Sequence, residues 1–147
     1  MNPALLIALV VLAGAATGLQ APTNTLLTRV FGSPVGSALV SFTVGTLILA
    51  VAVLALGLRP NWSAARQLPW YAWAGGAYGA LFVSVAAFSA PRLGIGPTLI
   101  LLVSGQLVAA LLIDHFGGFG LARQPLTWMR LAGVTLVVAG VVLVRCG

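Results

Sequence analysis

Apolar residues run along this 147-residue chain in long blocks, separated by short segments of turn-forming residues. The pattern predicts five helices, over 3–29, 34–57, 69–90, 97–116 and 126–145, each close to the about 20 mainly apolar residues that a helix needs to cross hydrocarbon. The breaks have turn chemistry of their own: Gly32-Ser33-Pro34, Arg59-Pro60-Asn61, Pro91 to Gly94, and Gly117-Gly118. Pro34, Pro69 and Pro97 suit the first turn of the helix that follows each break. Lipid accepts only backbone that satisfies its own hydrogen bonds, so the expected fold class is an all-α integral membrane protein with one transmembrane domain over 1–147.

Polar positions inside the apolar blocks are few and ordered. Thr17, Gln20, Asn24 and Thr28 are spaced by three, four and four, which keeps them within about 80° of one another on the first helix, with Gly14 on the flank. Polar groups cost free energy in hydrocarbon unless they are paired or face a wet cavity. Pro22 lies inside the stripe and removes a backbone hydrogen bond. Two readings stand: a substrate pathway lined by Gln20 and Asn24, or a helix that stops near Gly18 with 20–29 as a polar surface loop. Leu26, Leu27 and the helical spacing beyond the proline favour the first. Gln106 falls midway along the fourth predicted helix, where an isolated amide either bonds a neighbouring helix or contacts a ligand. Small residues recur at fourfold spacing, as Gly14 and Gly18, as Ser37, Ser41 and Gly45, and as Gly75 and Gly79. That spacing lets helices approach closely in lipid.

Composition supports the membrane reading. Hydrophobic residues make up 61% and charged residues 5% of the chain, against about 45–50% and 25% in a soluble domain. The net charge of +6 comes from seven arginines set singly along the chain, a distribution that suits lipid headgroups and not nucleic acid. An odd number of spans puts the termini on opposite sides. Arg59, Arg66, Arg123 and Arg130 then lie on one side and Arg29, Arg92 and Arg145 on the other. Orientation follows the excess of Lys and Arg in short loops, and so even a balance barely specifies it. Insertion in both orientations, with an antiparallel homodimer forming an inverted repeat, stands beside a single orientation set by the small excess. Trp62, Trp70, Trp73, Trp128 and Tyr71 cluster on the first side as an interfacial belt, an aromatic cage for a cation being the sharper alternative. The lone Cys146 permits no internal disulfide. The N-terminal block ends in the small residues Ala13, Gly14 and Ala15 like a secretory leader. No Lys or Arg precedes it, however, and the expectation is a span.

Asp114 is the single acidic residue, beside the single histidine, His115. Both fall in the last turn of the fourth helix. Asp114 is a candidate proton or cation site that gates or couples transport, with His115 as a second titratable group. Alternatively it pairs with Arg123 or Arg66 at headgroup level. Adjacent helical residues point about 100° apart, so Asp114 and His115 make a poor catalytic pair. With one His, one Cys and one acid, no metal site or cofactor is expected, and the chain is not expected to be an enzyme.

The segments "GAATGLQAPTN", "GSPVGSALVSFTVG", "WAGGAYGA" and "GQLVAALLIDHFGGFG" resemble the YdcZ-like family of the drug/metabolite transporter superfamily over nearly the whole chain. The resemblance implies a bacterial inner-membrane transporter with about five helices per chain, half of a ten-helix transporter, and it implies that Gln20, Asn24, Gln106 and Asp114 belong to the family pattern. Small multidrug transporters of that superfamily carry a carboxylate in the middle of the first helix. Here the Thr17 to Thr28 stripe takes that place without an acid, which leaves facilitated diffusion or coupling through Asp114. The expected function is a secondary transporter or facilitator of a small molecule acting as a dimer, the alternative a non-conducting structural or regulatory membrane subunit.

Overall fold

The computed structural model describes residues 2–146. The side chains of Arg145 and Cys146, assigned above to a surface charge and a lone thiol, lie outside the described residues. The secondary structure among the described residues is helical: α1 Pro3–Phe31, α2 Pro34–Ala55, the single turn α3 Trp62–Ala65, a 3-10 turn Trp70–Trp73, α4 Gly75–Leu93, α5 Ile95–Phe116, a 3-10 turn Gly118–Gly120, and α6 Trp128–Cys146. They form two compact units, residues 1–91 and residues 92–147. Among the described residues three helices, α1, α2 and α5, are long and apolar enough to cross a membrane.

The first unit is built on the α1–α2 hairpin. Asn2 caps α1, its Oδ1 accepting from the Ala4 N–H at 2.9 Å, and Pro3 takes the first helical position, where no N–H is needed. Gly32 ends the helix at φ 67°, in the left-handed region that only glycine adopts without penalty, and its N–H returns to the Thr28 carbonyl at 2.8 Å. Ser33 caps α2 through the Gly36 N–H at 3.2 Å. The break expected at Gly32-Ser33-Pro34 is therefore a cap-to-cap reversal.

Pro22 does not end α1, so the loop reading of 20–29 is overturned. The proline deprives only the Gly18 carbonyl of its usual partner. Thr23 donates to the Leu19 and Gln20 carbonyls at 3.1 and 2.9 Å, and Thr25 to Ala21 at 2.9 Å, which keeps hydroxyls in apolar surroundings satisfied.

The helix predicted over 69–90 starts later and ends later. After Pro69 the chain closes a 3-10 turn, with the Ala72 N–H on the Pro69 carbonyl at 3.0 Å and the Ala74 N–H on Tyr71 at 3.1 Å. The bulky rings of Trp70, Tyr71 and Trp73 remain exposed there, and α4 begins at Gly75. At the other end α4 passes through Pro91 to Leu93, because a proline in a last turn removes a single backbone bond. The turn is made at Gly94, φ 88°, and α5 starts at Ile95, ahead of Pro97. Val83, Ala86, Ala87 and Ala90 give α4 a buried stripe at helical spacing. Gly79 lies against Phe42 of α2: a Cβ there would stand 2.9 Å from the ring's Cζ.

Candidate functional site

The polar stripe of α1 divides by depth. Asn24 is 2% exposed and Ser37, opposite it on α2, is fully buried. Ser41 donates to the Asn24 Oδ1. Thr28 donates to the Ser37 Oγ and the Asn24 carbonyl, each at 2.9 Å, and Ser37 passes its own proton to the Pro34 carbonyl at 2.8 Å. A continuous chain of side-chain hydrogen bonds thus ties the end of α1 to the start of α2. Close approach is possible because the α2 face carries Ser37, Ala38 and Ser41 and nothing larger. Thr17, one end of the stripe, is exposed and donates to its own helix at the Ala13 carbonyl, 2.9 Å away.

Gln20 is placed differently. It lies half-buried on a recess of about 220 Å³ whose other walls are Ser41, Phe42, Gly45, Thr46 and Leu49 of α2. Among the described residues neither the Gln20 amide nor the Thr46 hydroxyl has a hydrogen-bond partner. Sequence reasoning singled out Gln20, Ser41 and Gly45 but missed Phe42, Thr46 and Leu49. The fourfold steps from Ser41 to Gly45 to Leu49 and from Phe42 to Thr46 put these residues on one side of α2, and that spacing was readable.

In the second unit Gln106 stands at the middle of α5, exposed and also without a hydrogen-bond partner among the described residues. Ser104 turns its hydroxyl back to the Ile100 carbonyl at 2.8 Å. Gly18 is half-buried, while Gly14, Gly45 and Gly75 have nothing within 4 Å of where a Cβ would stand.

Asp114 and His115 separate, as expected of adjacent helical residues. Asp114 Oδ2 lies 3.3 Å from the Arg130 Nη1 on the first turn of α6, and Arg130 also donates to the Gln124 Oε1. Arg123, named above as one possible partner, donates instead to the His115 carbonyl at 2.9 Å. The reversal runs through Gly117, φ 66°, where a Cβ would press on the Leu121 carbonyl at 3.3 Å. Beyond it the Gln124 N–H reaches the Asp114 carbonyl at 2.8 Å and the Leu126 N–H reaches His115 Nδ1 at 3.3 Å. Asp114 and Arg130 are 38% and 34% exposed, so their pairing is worth only about 0–1 kcal/mol. Most of the loop's attachment runs through backbone groups.

Among the described residues three helices have the length and apolarity of membrane spans, which is the character of an integral membrane protein. The family described as "Putative inner membrane exporter, YdcZ" matches residues 5–143. The chain belongs to that family. No curated protein and no solved structure matches it.

Proposed function

We propose that the chain is a secondary transporter or facilitator for a small metabolite or drug-like molecule in the bacterial inner membrane. The observation that carries the reading is the Gln20 amide, without a partner among the described residues and lining a recess beside apolar residues. Gln106 at the middle of α5 supports it. An unpaired amide costs free energy in hydrocarbon, and a solute or water offsets that cost. In this reading α4 and α6, 19 residues each, are the remaining two of five spans. Two chains, antiparallel because the arginines are so evenly divided, complete the inverted repeat of the drug/metabolite transporters.

Export is tested by comparing the culture medium of cells with and without the chain by mass spectrometry. At least one small compound is expected to rise severalfold. Identical media would favour the non-conducting subunit.

Asp114 is the gating or coupling residue of this reading. Asp114→Asn is expected to abolish the pH dependence of export while lowering stability by no more than about 1 kcal/mol, since Gln124 and Leu126 still hold the loop through backbone groups. A pH profile that survives the substitution removes Asp114 from coupling and leaves it an anchor for Arg130.

A further inference from the structure

We propose that the recess between α1 and α2 selects an uncharged solute that carries a hydrogen-bonding head, an amide or a hydroxyl, on an apolar body. The inference rests on the transport reading and adds to it the chemistry of the solute.

The walls decide the charge. Gln20, Ser41, Phe42, Gly45, Thr46 and Leu49 include no group that is ionised at neutral pH. A charged solute in such a site would lose its hydration and gain no opposite charge, a combination that low-dielectric surroundings penalise severely. The polar groups decide the head. The Gln20 amide offers two N–H donors and a carbonyl acceptor, and the Thr46 hydroxyl both donates and accepts. Among the described residues neither has a partner. The Ser41 proton is committed to Asn24, which leaves its oxygen free to accept. One head able to donate and to accept satisfies all three, as an amide or hydroxyl does and a carboxylate or a quaternary ammonium does not.

The remaining walls decide the body. Phe42 and Leu49 form an apolar surface, and Gly45 leaves space between them. The Phe42 ring lies against Gly79 of α4, so this wall is held from behind. A volume of about 220 Å³ is that of several waters at about 30 Å³ each. Depth fits a transported molecule: Gln20 lies three residues past the middle of α1 (Pro3–Phe31), about 4.5 Å along the axis.

Benzamide, benzamidinium and benzoate share one shape and differ in charge. Their binding to the full chain in lipid nanodiscs is measured by equilibrium dialysis. Saturable retention of benzamide is expected, with both charged analogues weaker by roughly tenfold or more. Gln20→Leu is expected to weaken benzamide about tenfold and Thr46→Val severalfold. Thr43→Val leaves binding unchanged, because Thr43 lies outside the recess and bonds the Leu39 carbonyl. The proposal is overturned if either charged analogue binds as tightly as benzamide, if benzamide is not retained saturably, or if retention survives both recess substitutions. Binding is read without flux. A chain that retains benzamide but exports nothing refutes the transport reading, and one that exports only charged compounds without retaining benzamide refutes the solute class alone.

Discussion

Asn24→Leu is expected to lower the stability of the purified protein by about 2 kcal/mol, a fall of roughly 5 °C in thermal unfolding for a chain of this size. Three costs combine. Ser41 loses the acceptor for its proton, and its fallback, the carbonyl one turn back on its own helix, lets go of α2's partner on α1. The branched leucine side chain must fit a site that is 2% exposed and bordered by Ser37 and Ser41, where extra volume forces helices apart. Thr28 and Ser37, whose hydrogen bonds complete the same chain, then lose their register. An interhelical hydrogen bond in lipid contributes only ~0.6 kcal/mol by itself. A loss near that value would mean that α2 shifts to accept the leucine, whereas a loss of about 2 kcal/mol means that the contact is rigid. Should unfolding be unmoved while export disappears, Asn24 would be a solute contact and not a tie between helices.

How far the sequence discloses this arrangement depends on what kind of constraint each feature obeys. The α1–α2 reversal was readable because Gly32, Ser33 and Pro34 each have one local role there: left-handed C-cap, side-chain N-cap and first-turn proline. The course of α4 was not. Pro69 and Pro91 look equally like boundaries, yet the first opens a 3-10 turn and the second sits inside a last turn, and only the surroundings of each proline separate the two. Pro22 is the same problem in the middle of α1: it costs only the Gly18 carbonyl its usual partner, and the helix runs on to Phe31.

Side-chain partners were harder still. Periodicity put Gln20 and Asn24 on one face, but the sequence could not tell that Ser41 reaches Asn24 while Gln20 is left to the recess. That outcome depends on the crossing of α1 and α2. For Asp114 the candidate cations, Arg123 and Arg66, were those of the loops expected on the same side of the membrane, and Arg130, in the helix beyond, was not among them. The left-handed turn at Gly117 reverses the backbone so that Arg123 meets the His115 carbonyl and Arg130 meets the carboxylate.

Gln20→Ala is expected to abolish export, a loss of at least about a hundredfold if the amide meets the solute at the most restrictive point of its path, while thermal unfolding moves by less than about 2 °C. The reason is the opposite of that for Asn24. Gln20 makes no side-chain hydrogen bond among the described residues, so its removal breaks none of their contacts and relieves an unpaired amide in apolar surroundings. Gln20→Asn retains the head group but withdraws it by one methylene, about 1.5 Å, and is expected to retain a fraction of the flux. Gln20→Glu matches glutamine in size and puts a carboxylate where no cation lines the recess. It is expected to be as inactive as alanine near neutral pH and to recover in part as the medium is acidified, because protonation restores a head that donates and accepts. Export assays of the three variants beside the wild type, with unfolding measured in parallel, check the whole series. If Gln20→Ala loses stability and flux together, the amide belongs to the same structural chain as Asn24 and the solute passes elsewhere. If flux falls alone, the two glutamine and asparagine positions of α1, one turn apart, divide the work of the helix between passage and assembly.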